Sequence, residues 1–106
     1  MSDWILDYMV EATITGASMK VIKAMLMKHK LYDPDNADHT LEDRGNEGIY
    51  YCCTVSGGMT WSLTLNDVYD ARDELVKVLD ELGEKHPRMK YETHMQVYIP
   101  KWEEVW

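Results

Sequence analysis

The sequence predicts a single α+β domain of 106 residues with its elements in the order β-α-β-β-α-β. Three observations carry this expectation. Four segments alternate apolar and polar side chains at every second residue, the period of a half-buried strand. Two others repeat apolar residues at helical spacing. Glycine, proline and capping residues stand where one pattern gives way to the next. A chain this long has enough surface to bury for one core and little more. It shows no internal repeat, low-complexity tract or interdomain linker, so residues 1–106 read as one unit with a long acidic connection at 32–48 and a short tail at 100–106.

From Trp4 to Thr15, the residues Trp4, Leu6, Tyr8, Val10, Ala12 and Ile14 lie on one face, and Ile5, Asp7, Met9, Glu11, Thr13 and Thr15 on the other. Gly16 ends that strand, and Ser18 is placed to cap a helix. In "ASMKVIKAMLMKHKL" the stripe is Val21, Ile22, Met25, Leu26 and His29, with Lys28 and Lys30 at the end where the helix dipole favours cations. After the acidic connection, "GIYYCCTVSGGMTWSLTL" reads as strand, glycine turn, strand. A three-residue loop Ser56-Gly57-Gly58 would pair Val55 with Met59, Cys53 with Trp61 and Tyr51 with Leu63, keeping all the odd residues on the core side. Asn66 or Asp67 is the expected cap of the second helix, whose stripe is Val68, Ala71, Leu75, Val78, Leu79 and Leu82. Gly83 is its expected C-cap, and Pro87 forbids continuation. The last strand spans Met89–Ile99. Met89, Tyr91, Thr93, Met95, Val97 and Ile99 face in; Lys90, Glu92, His94, Gln96 and Tyr98 face out.

In this order of elements the chain resembles the ferredoxin-like βαββαβ two-layer sandwich. The resemblance implies a four-stranded antiparallel sheet in the order 4-1-3-2, with two helices on one face. It is a likeness to a superfold, which hosts many unrelated activities, so function has to be argued from the sites themselves.

The formal net charge is −8, and its distribution says more than its total. Residues 17–31 hold four lysines and no acid, residues 32–48 six acids and Arg44, residues 66–85 seven acids against Arg72, Lys77 and Lys85, and residues 49–65 no charge at all. Side by side, the lysine-rich first helix and the acid-rich second would neutralise each other in part. An acidic chain does not bind nucleic acid by neutralising phosphates. Apolar residues never run for the ~20 positions of a membrane span, and "MSDWILDYMV" lacks the cationic n-region of a signal peptide. The expected compartment is therefore the cytoplasm, the host cytoplasm if the chain is phage-encoded. Cys52 and Cys53 are neighbours on a strand, point to opposite faces, and read as reduced structural residues.

No motif here dictates a reaction. As a calcium loop, 33–44 fails at Ala37, Asp38 and Arg44, where a carboxylate, glycine and glutamate are required. His29, His39, His86 and His94 lack the spacing of a zinc site. Ser18 and Ser62 have no activating neighbours in sequence, and the "TGAS" turn has neither the glycines nor the lysine of a phosphate loop. The arginine that small ferredoxin-like acyl phosphatases place in that turn is missing. Accordingly no catalytic residue, metal or cofactor is expected, and the chain reads as a non-enzymatic protein-binding module. Its expected contacts are Asp33, Asp35, Asp38, Glu42, Asp43 and Glu47 of the acidic connection, Tyr50 and Tyr98 on the open sheet face, and Trp102 and Trp106 of the tail. The open face is similar to that of RNA-recognition domains in carrying aromatics, but it lacks their basic residues.

The expected partner is a larger protein with a basic surface. The clustered carboxylates would steer onto it and occupy a nucleic-acid groove by charge mimicry, as in the small acidic phage inhibitors of nucleases and defence proteins that the chain resembles in size and charge. A homodimer through the open sheet face is the further expectation. The alternative functions are a dimeric domain that senses a small molecule and a small enzyme with its cleft across a dimer.

Overall fold

The computed structural model of the chain describes residues 4–56 and 63–98, with Trp4 and Ile5 described in their backbone alone. It contains β1 (Trp4–Ile5), β2 (Asp7–Thr15), α1 (Met19–Lys28), β3 (His39–Asp43), β4 (Ile49–Ser56), β5 (Leu63–Thr64), α2 (Leu65–Lys85) and β6 (Lys90–Tyr98). Four of the strands form an antiparallel sheet in the order β3-β4-β2-β6, while β1 and β5 pair in a separate short ladder. This α+β architecture of a four-stranded antiparallel sheet and two helices is compatible with a ferredoxin-like sandwich, to which the β1–β5 ladder is an addition.

Alternation decides which face of the sheet is covered. Tyr8, Val10, Ala12 and Ile14 of β2 and Ile49 and Tyr51 of β4 are all buried, and they join Ile22, Met25 and Leu26 of α1 and Val68, Leu75, Val78, Leu79 and Leu82 of α2 in one core. Fully burying each such aliphatic side chain is worth roughly 1.5–3 kcal/mol. Both helical stripes thus take the sequence-predicted face, except that Val21, His29 and Ala71 are only half-buried. Leu6 breaks the first strand: its backbone N–H bonds to the Tyr98 carbonyl at 2.8 Å, and its side chain is 46% exposed rather than in the core.

The helix ends show how local chemistry sets boundaries. Ser18 accepts a hydrogen bond from the Val21 N–H, as expected of an N-cap. α1 closes when Lys30 enters the left-handed region at φ 60°. Leu31 N–H then bonds to Leu26 O at 2.8 Å and Lys30 N–H to Met27 O at 3.1 Å, the paired bonds that satisfy the last carbonyls of a helix. Two expectations for α2 are corrected. Its N-cap is Thr64, with Asp67 completing a reciprocal capping box; Asp67 therefore serves from inside the first turn. Gly83 lies within the helix, which runs to Lys85 and is capped at His86, whose N–H bonds to the Leu82 and Gly83 carbonyls.

The larger correction concerns the sheet. The expected hairpin between 49–55 and 59–65 does not form: Cys53 pairs with Val10 and His39, and Tyr51 with Ala12 and Leu41, so β4 has β2 on one side and β3 on the other. Leu63 pairs instead with Ile5 and is buried; Met59, Trp61 and the glycine turn lie outside the described residues. The strand that takes the vacated place is β3, drawn from the segment expected to be an acidic connection.

Candidate functional site

The acidic segment is built from local hydrogen bonds. Asp33 Oδ1 accepts from the Asp35 N–H, Asn36 Oδ1 from the Asp38 N–H and Asp43 Oδ1 from the Gly45 N–H, each at 2.9 Å. His39 Nδ1 accepts from the Asp33 N–H, also at 2.9 Å. Short polar side chains thereby satisfy turn amides that no ladder reaches. Asp33 and Asp43 thus hold the backbone, and Glu42 pairs with Arg44 at 3.1 Å. Asp35, Asp38 and Glu47 have no side-chain hydrogen bond or ion pair among the described residues.

β3 also splits the cluster. Asp33, Asp35 and Asp38 precede it at the end of the sheet where β2 begins, Glu42 and Asp43 close it at the other end, and Glu47 follows. Five residues at about 3.3 Å each separate the two groups by roughly 17 Å. The six carboxylates therefore form two patches rather than one.

On the open face, register arranges the side chains in rows. One row runs Glu42, Tyr50, Thr13, Glu92; the next runs Thr40, Cys52, Glu11, His94. Tyr50 donates its hydroxyl proton to Glu11, and the Arg44 guanidinium lies 3.9 Å from the centroid of its ring, a cation–π arrangement. Burial, and then the bond to Glu11, push the Tyr50 pKa well above its ordinary value of 10.0. Tyr50 is therefore knitted into the sheet, whereas Tyr98 at the end of β6 is 50% exposed. Ile5, expected to alternate onto this face, belongs to the short ladder instead. Trp102 and Trp106 lie outside the described residues.

Cys52 faces the open side and Cys53 the core, both as free thiols, and burial pushes the Cys53 thiol up. Among the described residues no group of three or more His, Cys, Asp or Glu side chains is placed to hold a metal ion. No helix among them is long and apolar enough to cross a membrane. A cavity of about 160 Å³ lies beneath the first half of α2, lined by Tyr8, Val10, Leu31, Tyr51, Cys53, Ala71, Glu74 and Leu75. Its lining is mostly apolar, and the Tyr51 hydroxyl donates to the Leu31 carbonyl beside it.

A second acidic surface was not singled out from the sequence as a contact. Asp70, Asp73, Asp80 and Glu84 project from the outer side of α2 and Glu74 from its flank, all exposed. At about 1.5 Å per residue, Asp70 to Glu84 spans roughly 21 Å. The lysines of α1 do not neutralise it: the contact bridging the helices among the described residues is His29 with Glu81, at 3.6 Å, an ion pair only when the imidazole is protonated. The expected mutual compensation of the two helices is thus reduced to a single histidine contact. The signal was legible in the i, i+3 and i+4 spacing of these acids, which sets them on one side of a helix.

Tyrosine ionisation gives a pH test of this geometry. Tyr91 donates to Asp80, and that bond, with some burial, pushes its pKa up from 10.0 to about 12. Tyr8 and Tyr51 are raised chiefly by burial. The folded chain therefore keeps these protons where the unfolded chain has lost them. The resulting stability is complete below pH 10.0 and, for Tyr91, is lost as pH rises to about 12. Urea midpoints of the chain and of Tyr91→Phe, measured across that interval, should converge as pH rises; a constant gap would contradict the Tyr91–Asp80 bond.

No family model matches the chain, and no curated protein or solved structure matches it.

Proposed function

We propose that this chain is a non-enzymatic module that docks through its carboxylates on a basic surface of a larger protein. The observation that carries the reading is the exposed charge: the outer side of α2, where Asp73 is paired with Arg72 at 2.9 Å, and the Asp35–Asp38 corner stand exposed, while the α1 lysines make no ion pair with either among the described residues. A row of carboxylates about 21 Å long on a rigid helix suits a groove built for a phosphate backbone. In the narrower form of the proposal, the partner is a nucleic-acid-binding protein and this chain inhibits it by occupying that groove. The fold reading is a ferredoxin-like frame with an added ladder. Its support is that the four long strands, counted in chain order without β1 and β5, lie 2-3-1-4, or 4-1-3-2 from the other edge. Two free thiols suit a reducing compartment such as the cytoplasm.

Capture of the partner from lysate should fall about tenfold or more between roughly 0.01 M and 0.15 M salt, as the screening length contracts from about 30 Å to about 8 Å. Combining Asp70→Asn, Glu74→Gln and Glu84→Gln should lower capture at low salt by a similar factor without shifting the melting temperature. Capture indifferent to both would end the proposal. A second reading, a small-molecule-sensing domain, has the cavity beneath α2 in its favour. It predicts a melting shift with small apolar metabolites that salt leaves unchanged.

A further inference from the structure

We propose that β6 pairs edge to edge with β6 of a second copy of this chain, antiparallel and centred on Thr93, joining two four-stranded sheets into one. The two edges of the sheet are unlike. β3 has five residues, ends in the acids Glu42 and Asp43, and runs into the Arg44-Gly45 turn where Gly45 has φ 64°. A short, charged, abruptly turning strand is a blunted edge. β6 has nine residues and no proline, and it stays in continuous register with β2 from Lys90 to Tyr98. Its outer side meets no strand among the described residues. A straight row of unpaired N–H and C=O groups of that length is a template for another strand.

The side chains argue that the occupant is β6 itself. Two copies related by a two-fold axis through the sheet oppose residues whose numbers add to a constant even sum, which keeps all four helices on one side. Centred on Thr93, the arrangement puts Glu92 of each copy opposite His94 of the other, so a carboxylate faces an imidazole twice. Lys90 faces Gln96, Tyr91 faces Met95, and the central threonines face each other, a favourable cross-strand pair. Centring on Glu92 would oppose two carboxylates, and centring on His94 two imidazoles. On the helix side, Tyr91 and Met95 are half-buried and Val97 is 36% exposed; the second copy would cover all three. This contact uses neither the carboxylates of α2 nor the Asp35–Asp38 corner, so it stands apart from the docking reading.

The full chain should show a concentration-dependent monomer–dimer equilibrium in sedimentation. Glu92 and His94 are both exposed, so changing them leaves the core intact, and thermal melts verify this. His94→Glu opposes carboxylates twice and should weaken the dimer at least tenfold; adding Glu92→His to it reverses the pair and should restore association. Independently, Thr93→Cys should cross-link two copies under mild oxidation, because Cα atoms about 5.5 Å apart fit a disulfide, whereas the unaltered chain should not. A monomer at every concentration overturns the proposal. So does a dimer that ignores His94→Glu, a charge swap that fails to restore it, or a Thr93→Cys variant that does not cross-link.

Discussion

Gly48→Ala is expected to destabilise the chain by about 3 kcal/mol or more, as is Gly16→Ala, while Gly45→Ala costs about 1 kcal/mol. All three glycines have positive φ, at 81° for Gly16, 64° for Gly45 and 95° for Gly48, so each substitution carries backbone strain. They differ in what a Cβ would meet. At Gly48 it would lie 2.6 Å from the Ile14 carbonyl oxygen, at Gly16 2.1 Å from that of Arg88, and at Gly45 nothing lies within 4 Å. Main-chain atoms cannot rotate aside as a side-chain tip can. The turn after β2 must therefore part from the turn before β6, and the start of β4 from the end of β2. Because a small domain has a net stability of only about 5–15 kcal/mol, either change removes a large share. Urea midpoints compare the three variants directly. Equal losses at Gly45 and Gly48 would mean that β4 does not approach β2 as closely as described.

Leu79→Ala is expected to cost about 2–5 kcal/mol, through lost transfer energy and the cavity left behind. Leu79 is 0% exposed, on the α2 stripe where both helices meet the sheet. Met27→Ala, on the outer side of α1 at 44% exposure, removes a side chain of similar volume at little cost. The contrast matters more than either value. A small loss at Leu79 would show that α2 does not lie over the β2–β4 face, and the position of its outward carboxylates would go with it.

How much of the candidate site could be read in advance depends on the residue. Alternation alone sets Tyr50 and Cys52 on the open face, and the stripe of α2 sets its acids outside. Glu42 and Arg44 could not be placed on that face, because the segment "HTLEDR" carries a single apolar residue, Leu41, too weak a pattern to signal a strand. The division of the acidic cluster followed from that omission.

Much of what short-range chemistry sets could be read from residue order: the alternation of β2, β4 and β6, the two helical stripes, the Ser18 cap and the opposite facing of Cys52 and Cys53. Each depends on side-chain spacing or on a hydrogen bond within a few residues, so each is written locally. Which strands are neighbours was settled by long-range packing. A local turn signal favoured pairing β4 with the segment after Gly58. Yet that segment must deliver Thr64 to the start of α2, and its described residues Leu63 and Thr64 pair with β1. The edge of β4 was left for a partner able to supply backbone hydrogen bonds, which any side chain permits. The polar residues 39–43 met that need, and strand pairing at long range turned an apparent connection into the edge of the sheet.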